Sequence, residues 1–197
     1  MHPFCFGLSQ EMNPSESEMI KVGPAGSRAG EPWDEKGLSE ITEIYISHGD
    51  DTINSLQFQY VENRTLVLSE QHGESGGRFF NVVHLNHPSE YITGIAGNVN
   101  SYIISALTIT TNITTYGPFG SQTKVAGFDF RLGNLRLFGG FYGHFLRRND
   151  GTVSLSAIGI YVNPTSNLPT STEDRVRGAA LPLGSETSKY LGSWPAK

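Results

Sequence analysis

Cysteine is almost absent from this sequence: Cys5 is the only one in 197 residues. A single thiol cannot form a disulfide within the chain, so burial of apolar side chains must stabilise the fold. Long apolar runs are missing too, since no stretch approaches the roughly 18 consecutive apolar residues of a membrane-spanning helix. The N-terminus also lacks the basic start and apolar centre of a signal peptide. We therefore expect a cytoplasmic protein without membrane contact.

Positive charge is sparse. Lys and Arg together number 14 against 19 Asp and Glu, which gives a formal net charge of -5, and no basic run exceeds Arg147-Arg148. Binding to nucleic acid depends on clustered positive charge, so we expect no nucleic-acid partner. His84 and His87 offer two metal ligands without a third nearby, and a protein zinc site needs at least three. The sequence therefore predicts no metal and no cofactor.

Glycine is plentiful, with 23 residues, and aromatic residues make up 11% of the chain. This composition favours short strands joined by tight turns. The clearest strand is 53–61, where Leu56, Phe58 and Tyr60 alternate with Gln57 and Gln59, the period of two that a strand requires. Apolar residues nowhere keep helical spacing over three turns. The other predicted strands are 20–22, 41–47, 65–69, 79–85, 91–96, 103–113, 128–132, 135–141 and 157–162.

The two ends of the chain differ from this middle region. Residues 1–19 are polar and without periodicity, and residues 165–197 are rich in Pro, Ser and Thr. Such compositions bury too little apolar surface to offset the entropy of ordering. The sequence thus predicts one all-β domain over residues 20–164, a disordered leader at 1–19 and a disordered tail at 165–197. Within the domain, Gly23-Pro24-Ala25-Gly26 and the segment 116–120 read as turns.

Short motifs in this middle region resemble those of the jacalin-related lectins, in the same order along the chain. They are Gly23-Pro24-Ala25-Gly26, Trp33-Asp34, His72-Gly73, Tyr91-Ile92-Thr93-Gly94-Ile95, Tyr116-Gly117-Pro118-Phe119-Gly120, Gly140-Phe141-Tyr142-Gly143 and Ile158-Gly159-Ile160-Tyr161-Val162. The resemblance implies a β-prism I fold of three four-stranded antiparallel sheets. It also implies a protein that is not an enzyme and that binds sugar through loops at one end of the prism.

Within that family the chain is similar to plant proteins that restrict long-distance movement of tobacco etch virus and related potyviruses. The segments Ser55-Leu56-Gln57-Phe58-Gln59-Tyr60-Val61 and Phe138-Gly139-Gly140-Phe141-Tyr142-Gly143 carry this closer similarity. It implies a role in plant defence within phloem sieve elements. The expected partners are a mannose- or galactose-type glycan, host or viral proteins, and further copies of the chain. The alternative is an ordinary cytoplasmic lectin specific for mannose or galactose.

The family's sugar site has a Gly-x-x-x-Asp signature in the loop before the last strand. Aligning Ala157-Ile158-Gly159 with that strand puts Thr152 at the glycine position and Ser156 at the aspartate position. The resemblance further implies that the loop is about six residues longer than usual. Asp150 is the only carboxylate in it and is the candidate replacement. The resemblance therefore gives these candidate carbohydrate-binding residues: Gly23, Gly26, Gly76, Gly77, Asp150, Gly151, Thr152, Ser154 and Ser156.

Asp150 and the glycines among these candidates also have a purely structural interpretation. Asp150-Gly151 is a common turn-forming pair, and the glycines suit tight turns without any ligand. A different alternative comes from Gly73-Glu74-Ser75-Gly76-Gly77, which matches Gly-x-Ser-x-Gly. The hydrolase version of that motif needs a helix directly after the serine, whereas Arg78-Phe79-Phe80 resembles a strand.

Overall fold

A computed structural model describes residues 19–121 and 126–163. Within these residues the chain forms β-strands and no helix, so the all-β prediction is confirmed. None of the described residues therefore forms a helix that is long and apolar enough to cross a membrane. The strands are β1 (Ile20–Gly26), β2 (Glu31–Asp34), β3 (Ile41–His48), β4 (Ile53–Glu62), β5 (Thr65–Leu68), β6 (His72–Gly73), β7 (Phe79–His84), β8 (Ile92–Asn100), β9 (Ile103–Thr111), β10 (Thr115–Gly120), β11 (Ala126–Arg131), β12 (Phe138–Arg147) and β13 (Val153–Val162).

The strands form three antiparallel sheets. Sheet 1 has the order β1-β13-β12-β2, sheet 2 the order β5-β4-β3-β7, and sheet 3 the order β10-β9-β8-β11. Sheet 1 pairs the first strand with the last, with Val22 opposite Ile160 and Gly26 opposite Ala157. Because β1 and β13 are distant in sequence, sheet 1 joins the beginning of the domain to its end.

Sheet 2 departs from the predicted four strands because β6 also pairs with β4. Gln59 of β4 is opposite Leu68 of β5, whereas Leu56 of β4 is opposite His72 of β6. The two short strands thus share one edge of β4, and the sheet remains four strands wide. The prediction of four strands in each sheet is correct for sheets 1 and 3 and wrong by this one divided strand for sheet 2.

The core lies between the three sheets. The ring of Phe58 on β4 lies 6.1 Å from the ring of Trp33 and 5.1 Å from that of Phe141, which joins sheet 2 to sheet 1. The rings of His48 and Phe119 lie 5.9 Å apart and join sheet 2 to sheet 3. Full burial of one such side chain stabilises the fold by about 1.5–3 kcal/mol.

Two segments predicted as turns belong to strands. The segment 23–26 is the end of β1, where the register against β13 shifts between Val22 and Ala25. The segment 116–120 lies in β10, again with a register shift, between Tyr116 and Phe119. Both contain Gly-Pro, a strong turn signal, but a β-bulge also accommodates these residues within a strand.

The predicted leader and tail fall almost entirely outside the described residues. Only Met19 of the predicted leader 1–19 is described, and residue 164 and the predicted tail 165–197 are outside the described range. The disorder of both segments stays a prediction.

Candidate functional site

Four connections between strands meet at one end of the sheets, which we call the loop end: residues 27–30, 49–52, 74–78 and 148–152. Thr52 Oγ1 donates a hydrogen bond to Ser154 Oγ at 2.9 Å, and Asn54 Nδ2 donates to Val153 O at 2.9 Å. Arg147 forms an ion pair with Glu74. The fold thus brings most of the predicted sugar-binding residues to one end of the molecule, as the family resemblance implies.

The β12–β13 hairpin is longer than the sequence indicated. The predicted last strand began at Ala157, whereas β13 begins at Val153. Phe145 is opposite Leu155, Leu146 opposite Ser154 and Arg147 opposite Val153. Because these residues pair as strands, the extra residues before Ala157 extend the hairpin and do not form one long polar loop.

The tip of this hairpin is a compact turn. Arg148 N donates to Thr152 O at 2.7 Å, and Gly151 N donates to Arg148 O at 3.0 Å. Gly151 has a φ of 84°, a left-handed conformation that glycine adopts without strain. Its presence is explained by the turn.

Ser156, at the family's aspartate position, points away from solvent. The register between β12 and β13 shifts at His144/Phe145, so Ser156 is the extra residue of a β-bulge. Its side chain is fully buried, and its Oγ lies 2.7 Å from Ala29 O and 3.1 Å from His144 O. Its carbonyl oxygen accepts a hydrogen bond from Ser27 N at 2.7 Å. Ser156 therefore fastens loop 27–30 to the hairpin, and its hydroxyl is not exposed to a ligand.

Ser154 is also fully buried, and its hydroxyl oxygen accepts the hydrogen bond from Thr52. It joins the hairpin of sheet 1 to the β3–β4 turn of sheet 2. The side chains at 154 and 156 thus hold the loop end together and do not line an open site.

Asp150 is exposed at the hairpin tip, but it acts within its own turn. Its Oδ1 accepts hydrogen bonds from Thr152 N at 2.9 Å and from Thr152 Oγ1 at 2.6 Å. The hydrogen bond from the Thr152 side chain is the main reason that the pKa of Asp150 is lowered. Ser156 lies three positions after Val153 along β13, so the tip extends about 10 Å beyond the position aligned with the family's aspartate. Asp150 does not occupy the place of the missing aspartate.

The glycines of β1 have structural reasons to be glycine. Gly26 has a φ of 93°, and a Cβ there would overlap the carbonyl oxygen of Ser156. Gly23 has a φ of 92° and lies in the middle of β1, an edge strand of sheet 1, where a Cβ would meet the ring of Phe130 at 2.9 Å. The structure places Gly26 at the loop end and Gly23 away from it, in the bulged part of β1.

The adjacent glycines 76 and 77 differ from each other. A Cβ on Gly77 would lie 2.6 Å from Ser47 Oγ, and Gly77 N donates to that oxygen at 3.1 Å. Packing against β3 therefore requires a glycine at 77. Gly76 has open space around it and no left-handed φ. Of these glycines, only Gly76 has no structural requirement for a missing side chain, so its backbone remains open to a ligand.

The structure offers no support for the hydrolase alternative. Ser75 Oγ donates to the Gln71 side chain at 3.2 Å, and an amide cannot act as the general base. The next regular element is β7, a strand in place of the helix that the motif needs. Residues 19–121 and 126–163 contain no group of three or more potential metal ligands. His84 and His87 instead pair separately with Glu43 and Glu40.

Two contacts at this end were not apparent from the sequence. Arg147 Nη1 donates to Gly151 O at 3.0 Å while its other terminal nitrogen pairs with Glu74. Asp50 pairs with Arg78 across 3.2 Å. The members of each ion pair lie at least 28 residues apart in sequence, and no local pattern predicts such pairs. The loop end therefore presents turn backbones, these two ion pairs and a few further exposed charged side chains, which suits binding by surface contact.

A three-sheet all-β domain with four of its connecting loops gathered at one end is typical of a binding module. The profile of the jacalin-like lectin domain matches residues 22–161, and the chain belongs to that family.

Relatives from Arabidopsis thaliana cover most of the chain. Jacalin-related lectin 24 is 39% identical over 171 residues, which is 81% of this chain and 75% of that protein. Protein RESTRICTED TEV MOVEMENT 1 is 40% identical over 162 residues, which is 76% of this chain and 90% of that protein. The inactive form of that protein shows the same identity and coverage.

Solved structures give the same fold. A single-chain recombinant jacalin is 28% identical with a TM-score of 0.66, covering 78% of this chain and 99% of that structure. A mannose-binding jacalin-related lectin from Ananas comosus is 28% identical with a TM-score of 0.62, covering 74% of this chain and 98% of that structure.

Proposed function

We propose that this chain is a non-enzymatic plant defence protein that restricts the long-distance movement of potyviruses by binding a protein partner. The observation that carries the proposal is the buried Ser156 at the position where the family signature has an exposed aspartate. A carboxylate accepts charge-assisted hydrogen bonds from two sugar hydroxyls, and a buried neutral serine cannot replace it. The 40% identity to a protein named for restricting virus movement supports the biological role. We place its action in the cytoplasm of phloem sieve elements.

Sheet 2 supplies the surface for protein contact in this proposal. Phe80, on the edge strand β7, is 65% exposed, and its ring stacks on Tyr45 at 6.4 Å. On the opposite edge, Leu66 and Leu68 of β5 are 60% and 53% exposed. Edge strands carry unpaired backbone groups, and exposed apolar side chains beside them favour association with another chain. We propose that a host or viral protein, or a second copy of the chain, binds here.

Phe80→Ser is expected to abolish movement restriction while the fold remains intact. The full chain would be expressed in plants that lack this resistance, and a fluorescently tagged potyvirus inoculated on one leaf. With the native chain, infection of the inoculated leaf proceeds and the upper leaves stay free of virus. With Phe80→Ser the upper leaves become infected, because the exposed aromatic contact is lost. Thermal unfolding of the variant should change little, since exposed substitutions shift stability by about 0.5 kcal/mol or less.

Tyr102→Ser is the matched control, because Tyr102 is 68% exposed on the β8–β9 hairpin, away from sheet 2. It should restrict the virus as well as the native chain does. If plants that express the native chain show as much upper-leaf infection as plants without the protein, the proposed role is contradicted. That result is informative because the active and inactive relatives are equally similar to this chain.

The second candidate function is a cytoplasmic lectin specific for mannose or galactose. Asp150 remains exposed, with hydrogen bonds described to only one of its two oxygens, and Gly76 leaves open space near the loop end. Among structural neighbours, one is described as mannose binding and another is an artocarpin–mannotriose complex. In this alternative, Asp150, Gly151, Thr152 and Gly76 would contact the sugar.

A further inference from the structure

A groove of about 570 Å³ lies on the outer face of sheet 1. Phe141 and Phe145 of β12 belong to the core, so the alternating residues Tyr142 and His144 face outward. Pro32 and Asp34 of β2 face outward in the same way, on either side of the buried Trp33. The groove is lined by Lys21, Gly23, Pro24, Arg28, Pro32, Trp33, Asp34, Tyr142, Gly143 and His144. Its volume is within the range typical of small-molecule sites, roughly 300–1,000 Å³.

Most of the charge in the groove is already paired. Lys21 Nζ lies 3.6 Å from Asp34 Oδ2 and 4.7 Å from the centre of the Tyr142 ring. The Tyr161 hydroxyl donates to the same carboxylate of Asp34. Lys21 and Asp34 therefore neutralise each other at one side of the groove.

Arg28 is the exception. It lies in loop 27–30 and is exposed, and its side chain has no hydrogen bond or ion pair with the residues that the structure describes. Burial raises the pKa of Tyr142, and the positive charges of Lys21 and then Arg28 oppose that rise. The positive charge of Arg28 therefore reaches Tyr142, which lines the groove. This local unpaired cation favours an anion in the groove, although the chain as a whole carries a net charge of -5.

We propose that this groove binds a small carboxylate with an aromatic body. The Arg28 guanidinium would hold the carboxylate with two parallel hydrogen bonds, a geometry for which arginine is suited. The aromatic body would pack against Tyr142, Pro24 and Pro32. Apart from Arg28, the Lys21–Asp34 pair and His144, the lining consists of aromatic residues, prolines and glycines, which suits an aromatic ring better than a hydroxyl-rich neutral sugar. The groove includes neither the hairpin tip nor the exposed residues Phe80, Leu66 and Leu68 of sheet 2, so this proposal does not depend on the function proposed above.

The test is a titration of the full chain with benzoate, followed by protein NMR. Benzamide, which has the same ring without the charge, and glucuronate, which has the charge without the aromatic ring, are titrated in parallel. We expect saturable binding of benzoate with shifts at Tyr142 and His144, and at least tenfold weaker binding in Arg28→Gln, since a lost charge-assisted pair costs about tenfold or more. Arg148→Gln, an exposed arginine at the hairpin tip, should bind as the native chain does.

Three outcomes would overturn the proposal. The first is no saturable binding of benzoate at millimolar concentration. The second is equal binding of benzamide, which would show that the Arg28 charge is not used. The third is preferential binding of glucuronate, which would assign the groove to an acidic sugar. NMR spectra of Arg28→Gln that match the native chain at all other positions establish that the variant is folded.

Discussion

Ser156→Asp, which restores the family's aspartate at its own position, is expected to destabilise the protein by about 3–5 kcal/mol at neutral pH and to create no sugar site. The Ser156 hydroxyl lies within hydrogen-bond distance of two carbonyl oxygens, those of Ala29 and His144, and has one hydrogen to donate to them. A carboxylate has no hydrogen to donate and would face two acceptors in a fully buried position. Urea unfolding at pH 7 measures the loss of free energy of unfolding.

The pH dependence of this loss identifies its cause. Burial beside two carbonyls raises the pKa of the introduced carboxyl above its unfolded value of about 4. Its destabilising effect is therefore smallest below that pH, where the protonated carboxyl can donate to Ala29 O, and increases as the pH rises. Ser156→Ala should cost about 1 kcal/mol with no such dependence. A Ser156→Asp protein as stable as the native chain at pH 7, with new mannose binding, would show that position 156 faces a ligand.

Glu90→Leu is expected to reduce the free energy of unfolding by about 3 kcal/mol, because it removes three hydrogen bonds to a buried carboxylate. Glu90 is 4% exposed. It accepts hydrogen bonds from Asn86 N at 3.0 Å, Thr111 Oγ1 at 2.7 Å and the Tyr116 hydroxyl at 3.0 Å. These bonds fasten the β7–β8 connection to β9 and β10, at the end of sheet 3 opposite the loop end. Urea unfolding at pH 7 measures the effect.

Acid should weaken the native protein through the same residue. Burial alone would raise the pKa of Glu90, but the hydrogen bonds from Asn86, Thr111 and Tyr116 together outweigh it and lower that pKa. A carboxyl with a lowered folded pKa stabilises the protein above its unfolded pKa, and this contribution is lost as the pH falls through the folded value. The difference between the native chain and Glu90→Leu should therefore shrink below about pH 4. Glu70→Leu, at an exposed glutamate, should unfold like the native chain. A difference in the free energy of unfolding between the native chain and Glu90→Leu that stays constant from pH 7 to below about pH 4 would contradict the account.

Period-two alternation was sufficient to locate most strands. The pattern of Leu56, Phe58 and Tyr60 predicted β4 within one residue at its C-terminal end. Alternation is less informative in β13, because the residues on both faces of this strand are buried from Val153 to Tyr161. The ring of Tyr142 covers Gly159 on the outer side, a contact between strands that a single-strand pattern does not contain. The start of β13 was therefore predicted four residues too late.

Short strands with few apolar residues were missed for a related reason. β6 has two residues, His72–Gly73, and β2 contains Pro32. Both are strands because a neighbouring strand supplies hydrogen bonds, as where Tyr142 of β12 is opposite Asp34 of β2. Their own sequences carry no β pattern.

The sequence identified the loop end but not the direction of its side chains. The family resemblance drew attention to Thr152 and Ser156 as departures from the signature. Whether Ser156 pointed into a sugar site or into the protein depended on one β-bulge, because an extra residue reverses the faces of a strand. Similarly, Gly76 and Gly77 are indistinguishable in sequence, and the proximity of Ser47 and of the His48 backbone to Gly77 separates them.

The most direct test of the central claim, that the hairpin no longer forms the family's sugar site, is a glycan array probed with the full chain. Asp150→Asn and Asp51→Asn would be probed beside it. The first keeps the acceptor for Thr152 while removing the charge, and the second removes the same charge from the neighbouring β3–β4 turn. We predict that none of the three proteins binds mannose- or galactose-type glycans. Binding by the native chain that is lost in Asp150→Asn and kept in Asp51→Asn would contradict the claim and make the chain a lectin that binds through its hairpin tip.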